Sequence, residues 1–544
     1  MEAKTNKQIL IEHEGESEEL NEYIKIQQDK EKEELQTIVQ QKLLLKDTPQ
    51  ATELIVTYIK KHNEIRSIRE DEKNEIWMYR EGIYIPHGKS YIEEICREIF
   101  EVAHTTYMTN QVIAKIQADT YIDKQYFFNQ QNNYIYLIPV QNGILNIKTR
   151  ELKPFTKDIY FFNKLPVAYN EKAICPNIIK FFNQITKRDE DVLCLQEIFG
   201  FSLLKEYKYE KAIMFYGKNG RNGKGKTLDL LKRLLGDDNT KGISLQDLEK
   251  RPFIINELHN KLVNISGDLS PEAMNHTGMF KQLTGRDTIT ADRKMQSTIS
   301  FVNYAKMIFA CNEMPNITTS TKAFWLRWLV IDFPYTFLPQ KELNALSSDE
   351  KENAFLQDPT IINKISTPEE LEGLLIFALE GLNRLEKKKD FSNKETAAET
   401  EIAWKRKSNS VLDFLLNNIS YDYNEYISKD DIKQTYLKYC SDNNLRALSD
   451  KVIKITIENE FNGYEQKISK KDIVTNYENR FWVWKNVSFK KEQCTLSRVS
   501  DVSRVSHLHR KDNLSIRSQK PLTPLTPLTV PCKNQKVVEE YVND

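Results

Sequence analysis

Residues 212–236 read AIMFYGKNGRNGKGKTLDLLKRLLG. An apolar run ends at Tyr216, glycines stand at 217, 220, 223 and 225, and leucines then recur at helical spacing. Strand, glycine-rich loop and helix in that order form the setting of phosphate-binding loops, whose general pattern is G-x-x-x-x-G-K-[ST]. Glycine lets the backbone wrap closely round an anion, and successive N–H groups and the helix N-terminus then point at it. The candidate nucleotide-binding residues are Gly217, Gly220, Asn222, Gly223, Lys224, Gly225, Lys226 and Thr227. Lys224 is placed to contact the β- and γ-phosphates of ATP. The pattern departs from the general one twice. Its first glycine, Gly217, sits one residue early, and Gly225 follows the lysine where Ser or Thr usually holds Mg²⁺. Thr227, two residues further on, is the candidate substitute.

Working outward, strand-like apolar runs recur at 261–266 (KLVNIS), 305–311 (AKMIFAC) and 328–333 (WLVIDF), separated by helical stretches or loops. That alternation predicts an α/β layer with a central sheet. Asp268 follows the first of these runs, where an acid can hold Mg²⁺ or orient a water. Asn312 ends the second, where a polar side chain can reach a γ-phosphate or the attacking water.

Five segments in this order resemble the superfamily 3 helicases, and more closely the C-terminal half of phage and plasmid primase-helicases and of the poxvirus primase-helicase. They are Asn222-Gly223-Lys224-Gly225, then Asp268, then Lys281-Gln282-Leu283-Thr284-Gly285-Arg286-Asp287, then Asn312 with Pro315, and last Arg327 ahead of Val330-Ile331-Asp332-Phe333-Pro334. The resemblance implies a P-loop, AAA+-like ATPase with a central parallel sheet. An α+β domain precedes it, and a helical connector and winged helix follow. It implies catalytic roles for Lys224, Asp268, Asn312 and Arg327: the first on ATP phosphates, the second on Mg²⁺, the third sensing the γ-phosphate. Arg327 acts in trans on a neighbouring subunit's nucleotide. The family often shows two acids at the second motif. Here position 267 is Gly, and Glu257 and Glu272 are the other acids within reach by sequence.

The segment 281–294, KQLTGRDTITADRK, is expected to form a basic hairpin in which Lys281, Arg286, Arg293 and Lys294 grip single-stranded DNA, as the family's pore segment does. Further along, helices at about 409–420, 428–442 and 449–460 and strands at Tyr464–Lys467 and Arg480–Val487 make a winged-helix pattern. Lys451 and Lys454 are its expected exposed DNA contacts, with Lys467, Lys470 and Lys471 on the wing. Trp482 and Trp484 are expected in the wing core.

The organisation expected for the 544 residues is a charged helical N-terminal arm at 1–64, an α+β domain at 65–180 and the ATPase at 181–345, then the helical connector at 346–407, the winged helix at 408–490 and a disordered Ser/Thr/Pro-rich tail at 491–544. With only this arm ahead of the match, no primase domain or primase activity is expected of these residues. Lys+Arg and Asp+Glu both total 78, so bulk charge does not announce nucleic acid, and any basic surface is local. Seven scattered cysteines without zinc spacing fit a reducing compartment. Neither a signal peptide nor an apolar run long enough for a membrane span is evident. Taken with these features, the resemblance implies a DNA helicase that hydrolyses ATP with Mg²⁺, expected to work as a hexameric ring in the cytoplasm of a prokaryote or an infected host. Its partners are single-stranded and forked DNA and a separate primase or polymerase. The alternative is an ATP-binding switch or origin-recognition protein with little hydrolysis.

Overall fold

The helix Thr48–His62 starts where Asp47 accepts a hydrogen bond from the Gln50 N–H and a proline occupies the first turn. Ala51, Ile55, Val56 and Ile59 recur at helical spacing and bury one face of it. They pack with Ile92 and Ile99 of helix Gly88–Phe100 and Val112 and Ile116 of helix Thr106–Asp119. Leu35 and Val39, four residues apart on the long helix Asn6–Leu44, join the same core. The boundary expected after residue 64 therefore falls inside one packed unit. A four-stranded sheet completes this front module, in the order Ile83–Ile85, Ile76–Arg80, Ile65–Ile68, Tyr121–Ile122.

This computed structural model describes residues 6–68, 75–218, 220–270, 277–293, 296–317, 321–348, 350–393, 395–443, 445–471 and 478–490. Glu272, Lys294 and the tail at 491–544 lie outside the described residues. The fold is mixed α/β with a parallel sheet. Residues up to Lys490 fall in one compact unit. Among the described residues, no helix is long and apolar enough to cross a membrane.

The central sheet has five strands in the order Trp328–Asp332, Ala212–Tyr216, Lys306–Cys311, Val263–Ser266, Thr240–Lys241. Every pairing is parallel. Strands covered on both faces read as continuous apolar runs, which is why four of these were legible; Thr240–Lys241, short and polar at the edge, was not. Helix Lys224–Leu235 lays Leu228, Leu231, Leu234 and Leu235 into the core. Beyond the sheet, a short parallel ribbon pairs Thr336–Leu338 with Ala354–Leu356, crossing the boundary expected at 345. Helix Pro368–Lys388 follows, capped by Thr367.

The rear module holds helices Ser410–Asn418, Lys429–Asp442 and Asp450–Phe461. Its sheet is three-stranded, in the order Ile419–Ser428, Glu478–Phe489, Tyr464–Lys471. The first of these strands was not anticipated. Its middle bulges between Tyr421 and Tyr426 and is exposed, so no two-residue apolar alternation marks it. Trp484 is in the core as expected. Trp482 is not: it stands 51% exposed, a correction to its expected burial.

The hairpin of Ile76–Arg80 and Ile83–Ile85 turns at Glu81-Gly82, both with positive φ, and Gly88 opens the helix that follows. One local expectation also shifts. The basic segment divides. Lys281 lies on helix Gly278–Thr284, Arg286 on the turn after it, and the hairpin proper pairs Thr288–Arg293 with Gln296–Val302. The Lys281-to-Thr284 stretch continues an apolar helical face through Phe280 and Leu283, and this favours helix over strand there.

Candidate nucleotide site and nucleic-acid surfaces

The glycine-rich loop leaves the carboxyl end of the strand Ala212–Tyr216, between the strands that end at Cys311 and Asp332. This is where open α/β sheets build ligand sites. Gly223 has a φ of +91°, and a Cβ there would stand 2.6 Å from the Ile185 Cγ2. A Cβ on Gly217 would lie 2.1 Å from the Asn222 Nδ2. Gly223 is therefore required by the fold, while a side chain at 217 would displace the Asn222 amide from its place in the loop. Gly220 and Gly225 differ, since a Cβ at either would meet nothing within 4 Å. Their bare backbone faces open space at the start of a 12-residue helix whose dipole favours an anion.

Lys224 begins that helix, and its side chain is buried. Its Nζ donates to the Gly217 carbonyl and to the Asn312 Oδ1, at 2.8 Å each. Burial pulls its pKa down to about 8, with the charge of Asp268 among the effects that oppose the fall. Asp268 is exposed two residues beyond the strand Val263–Ser266. The next residue, Leu269, donates its N–H to the Ala310 carbonyl at 2.9 Å and ties this strand end to the one bearing Asn312. Lys224, Asn312 and Asp268 are thus brought to one place from three strand ends.

Thr227 is fully buried and donates its hydroxyl to the Gly223 carbonyl at 3.1 Å. The group Mg²⁺ would meet here is Asp268, with the Thr227 oxygen facing back along its own helix. Among the described residues there is no cluster of three His, Cys, Asp or Glu side chains. Glu257 pairs with Lys241 at 2.5 Å, away from the loop lysine.

Arg327 lies at the opposite end of the sheet, where its carbonyl accepts from the Ala212 N–H. Its guanidinium is 3.2 Å from Glu210 and donates to the Ala323 carbonyl at 2.8 Å, while its Nε is buried without a partner. It does not meet the loop of its own chain. Lys226 is exposed at the rim of a cavity beside the loop.

Two features here were not anticipated. Lys407, on helix Ala397–Ser408, donates to both carboxylate oxygens of Asp332 at 2.7 and 2.9 Å and sits 5.1 Å from the Tyr216 ring centroid. Lys218 in the loop donates to the Asn443 carbonyl of the rear module at 2.6 Å. Neither has a local sequence signal, because each partner comes from a distant element.

Of the candidate nucleic-acid contacts, Arg286 is exposed and 3.1 Å from Glu206, and Lys281 is half-buried. Arg293 belongs to the hairpin strand. Lys451 and Lys467 are exposed. Lys454, expected to be exposed, is half-buried and paired with Glu465 at 3.0 Å.

A model described as "D5 N terminal like" matches residues 27–187, and a family of unknown function, DUF5906, matches residues 215–325. The chain is 24% identical over 247 residues to "Putative helicase 184R" of Invertebrate iridescent virus 6, covering 42% of this chain and 25% of that one. It is 24% identical over 315 residues to "Putative helicase L207/L206" of Acanthamoeba polyphaga mimivirus, covering 56% and 32%. These matches support a phage and viral primase-helicase-like family. The chain spans a quarter to a third of the length of those relatives. Among solved structures, the NrS-1 C-terminal region is 13% identical, covers 79% of this chain and 97% of its own, and has a TM-score of 0.38.

Proposed function

We propose that this protein is an ATP-dependent DNA helicase of the superfamily 3, AAA+-like type, working as a ring on single-stranded DNA in the replication of a virus, plasmid or integrated mobile element. One observation carries the reading: the Lys224 ammonium, held between the Gly217 carbonyl and Asn312 at the carboxyl end of the central parallel strand. The bare helix N-terminus beside it receives the β- and γ-phosphates. Asp268 holds Mg²⁺, with Thr227 contributing through water. Asn312, already bonded to the lysine, registers the γ-phosphate.

The remote position of Arg327 supports its action on a neighbouring subunit, and hence a ring, with six subunits as the expected size. The hairpin of Thr288–Val302 would face the strand, and the winged helix would add duplex affinity through phosphate contacts by Lys451 and Lys467. A separate primase or polymerase would complete the machine.

Unwinding of a labelled forked duplex tests this reading. Strand separation that needs ATP and Mg²⁺ and is lost in Lys224→Ala supports the motor. Nucleotide binding with neither turnover nor unwinding would replace it with a switch.

A further inference from the structure

Beside the loop lies a cavity of about 920 Å³, within the range of small-molecule sites. One wall is the loop itself, through Gly223 and Lys226. The opposite wall is the ribbon, which the Phe337 N–H ties to the Arg221 carbonyl of the loop at 2.8 Å. Side chains alternate across a strand. Tyr335, Phe337 and Phe355, with the adjacent Leu356, line this cavity, while Thr336, Leu338 and Ala354 line a separate one of about 580 Å³. The three rings form an aromatic wall, with Tyr335 edge-on to Phe355 at 5.1 Å and Phe337 5.9 Å from it. Phe355 is nevertheless 43% exposed. Gln184 and Gln357 are among the polar residues that line the same space.

We propose that this cavity receives the base of the nucleotide, that Phe355 is its stacking surface, and that the Gln184 and Gln357 amides favour adenine. The inference rests on the loop binding the phosphates and adds the specificity of that site. Direction follows from the sheet. The γ end is set by Lys224, Asn312 and Asp268, whose strands lie to one side of the loop strand. The ribbon continues from the strand on the other side, Trp328–Asp332. A phosphate chain crossing the helix N-terminus from Asn312 therefore delivers its sugar and base past Lys226 to the aromatic wall. An aromatic face stacks any base, whereas a glutamine amide, at once donor and acceptor, matches the adjacent donor and acceptor of adenine.

Calorimetric titration of the full chain with ATP, GTP and inorganic tripolyphosphate, in Mg²⁺, tests this. The wild type should bind ATP more tightly than GTP. Phe355→Ala should weaken ATP by about tenfold or more, leave tripolyphosphate unchanged, and be rescued by Phe355→Trp. Gln357→Ala should narrow the preference for ATP over GTP. Wild-type ATP affinity in Phe355→Ala, with tripolyphosphate still bound, would overturn the pocket and leave the loop standing. Failure of tripolyphosphate to bind the wild type would overturn the loop itself, and the pocket with it.

Discussion

Lys224 and Asn312 share a 2.8 Å hydrogen bond, although they begin a helix and end a strand on different sides of one sheet crevice. The bond gives the loop lysine a fixed aim before any nucleotide arrives. Preorganised groups of this kind act where charge develops in the transition state. Replacing Asn312 by Ala should lower ATP turnover on the order of a hundredfold, with a much smaller change in ATP affinity. Steady-state hydrolysis together with a binding titration separates the two effects.

The same lysine makes a prediction about pH. Its pKa in the free protein is pulled down to about 8 by burial. The ammonium is the form that binds phosphate. Below pH 8 it is already present. Above pH 8 the free protein must take up a proton to bind, so ATP affinity falls by up to about tenfold per pH unit. Lys224→Arg keeps its charge throughout and should lose this slope. Titrations between pH 7 and 9.5, in buffers of different ionisation enthalpy, read both the affinity and the proton uptake.

A second buried lysine governs stability. Lys205 is 5% exposed, has no hydrogen-bond partner and lies 4.6 Å from the Phe161 ring centroid. Burial lowers its pKa from 10.5 to about 7. Between those values the unfolded chain binds more protons than the folded one, so this group makes stability rise as pH climbs from about 7 toward 10.5. Lys205→Met should melt several degrees higher than wild type at pH 7, and the gap should close as pH approaches 10. A constant gap across that range would contradict the assignment.

Arg327 should be required by a neighbour rather than by its own loop. Lys224→Ala and Arg327→Ala should each abolish turnover when pure. Mixed before assembly, they should regain part of it, because some interfaces then pair an intact lysine with an intact arginine. An inactive mixture whose oligomers have been shown to exchange subunits would remove the trans role.

The parallel core was legible because strands covered on both faces need apolar residues throughout, and the runs at 212–216, 306–311 and 328–332 supply them. The loop was legible because its glycines and Lys224 stand between an apolar strand and a helix, and Gly223 sits at a positive φ that only glycine adopts readily. Other features were not. Strand Ile419–Ser428 exposes its middle and so lacks alternation. Lys281 sits on a helix because Phe280 and Leu283 bury that turn, an effect of packing that the charges around it conceal. The Lys407–Asp332 and Lys218–Asn443 contacts join residues that only the fold makes neighbours.

The most direct test of the whole account is the rate of ATP hydrolysis by the full chain, measured with and without single-stranded DNA, for wild type and Lys224→Ala. Turnover should depend on Mg²⁺, rise with DNA in the wild type and vanish in the variant. Equal turnover in the two proteins would contradict it.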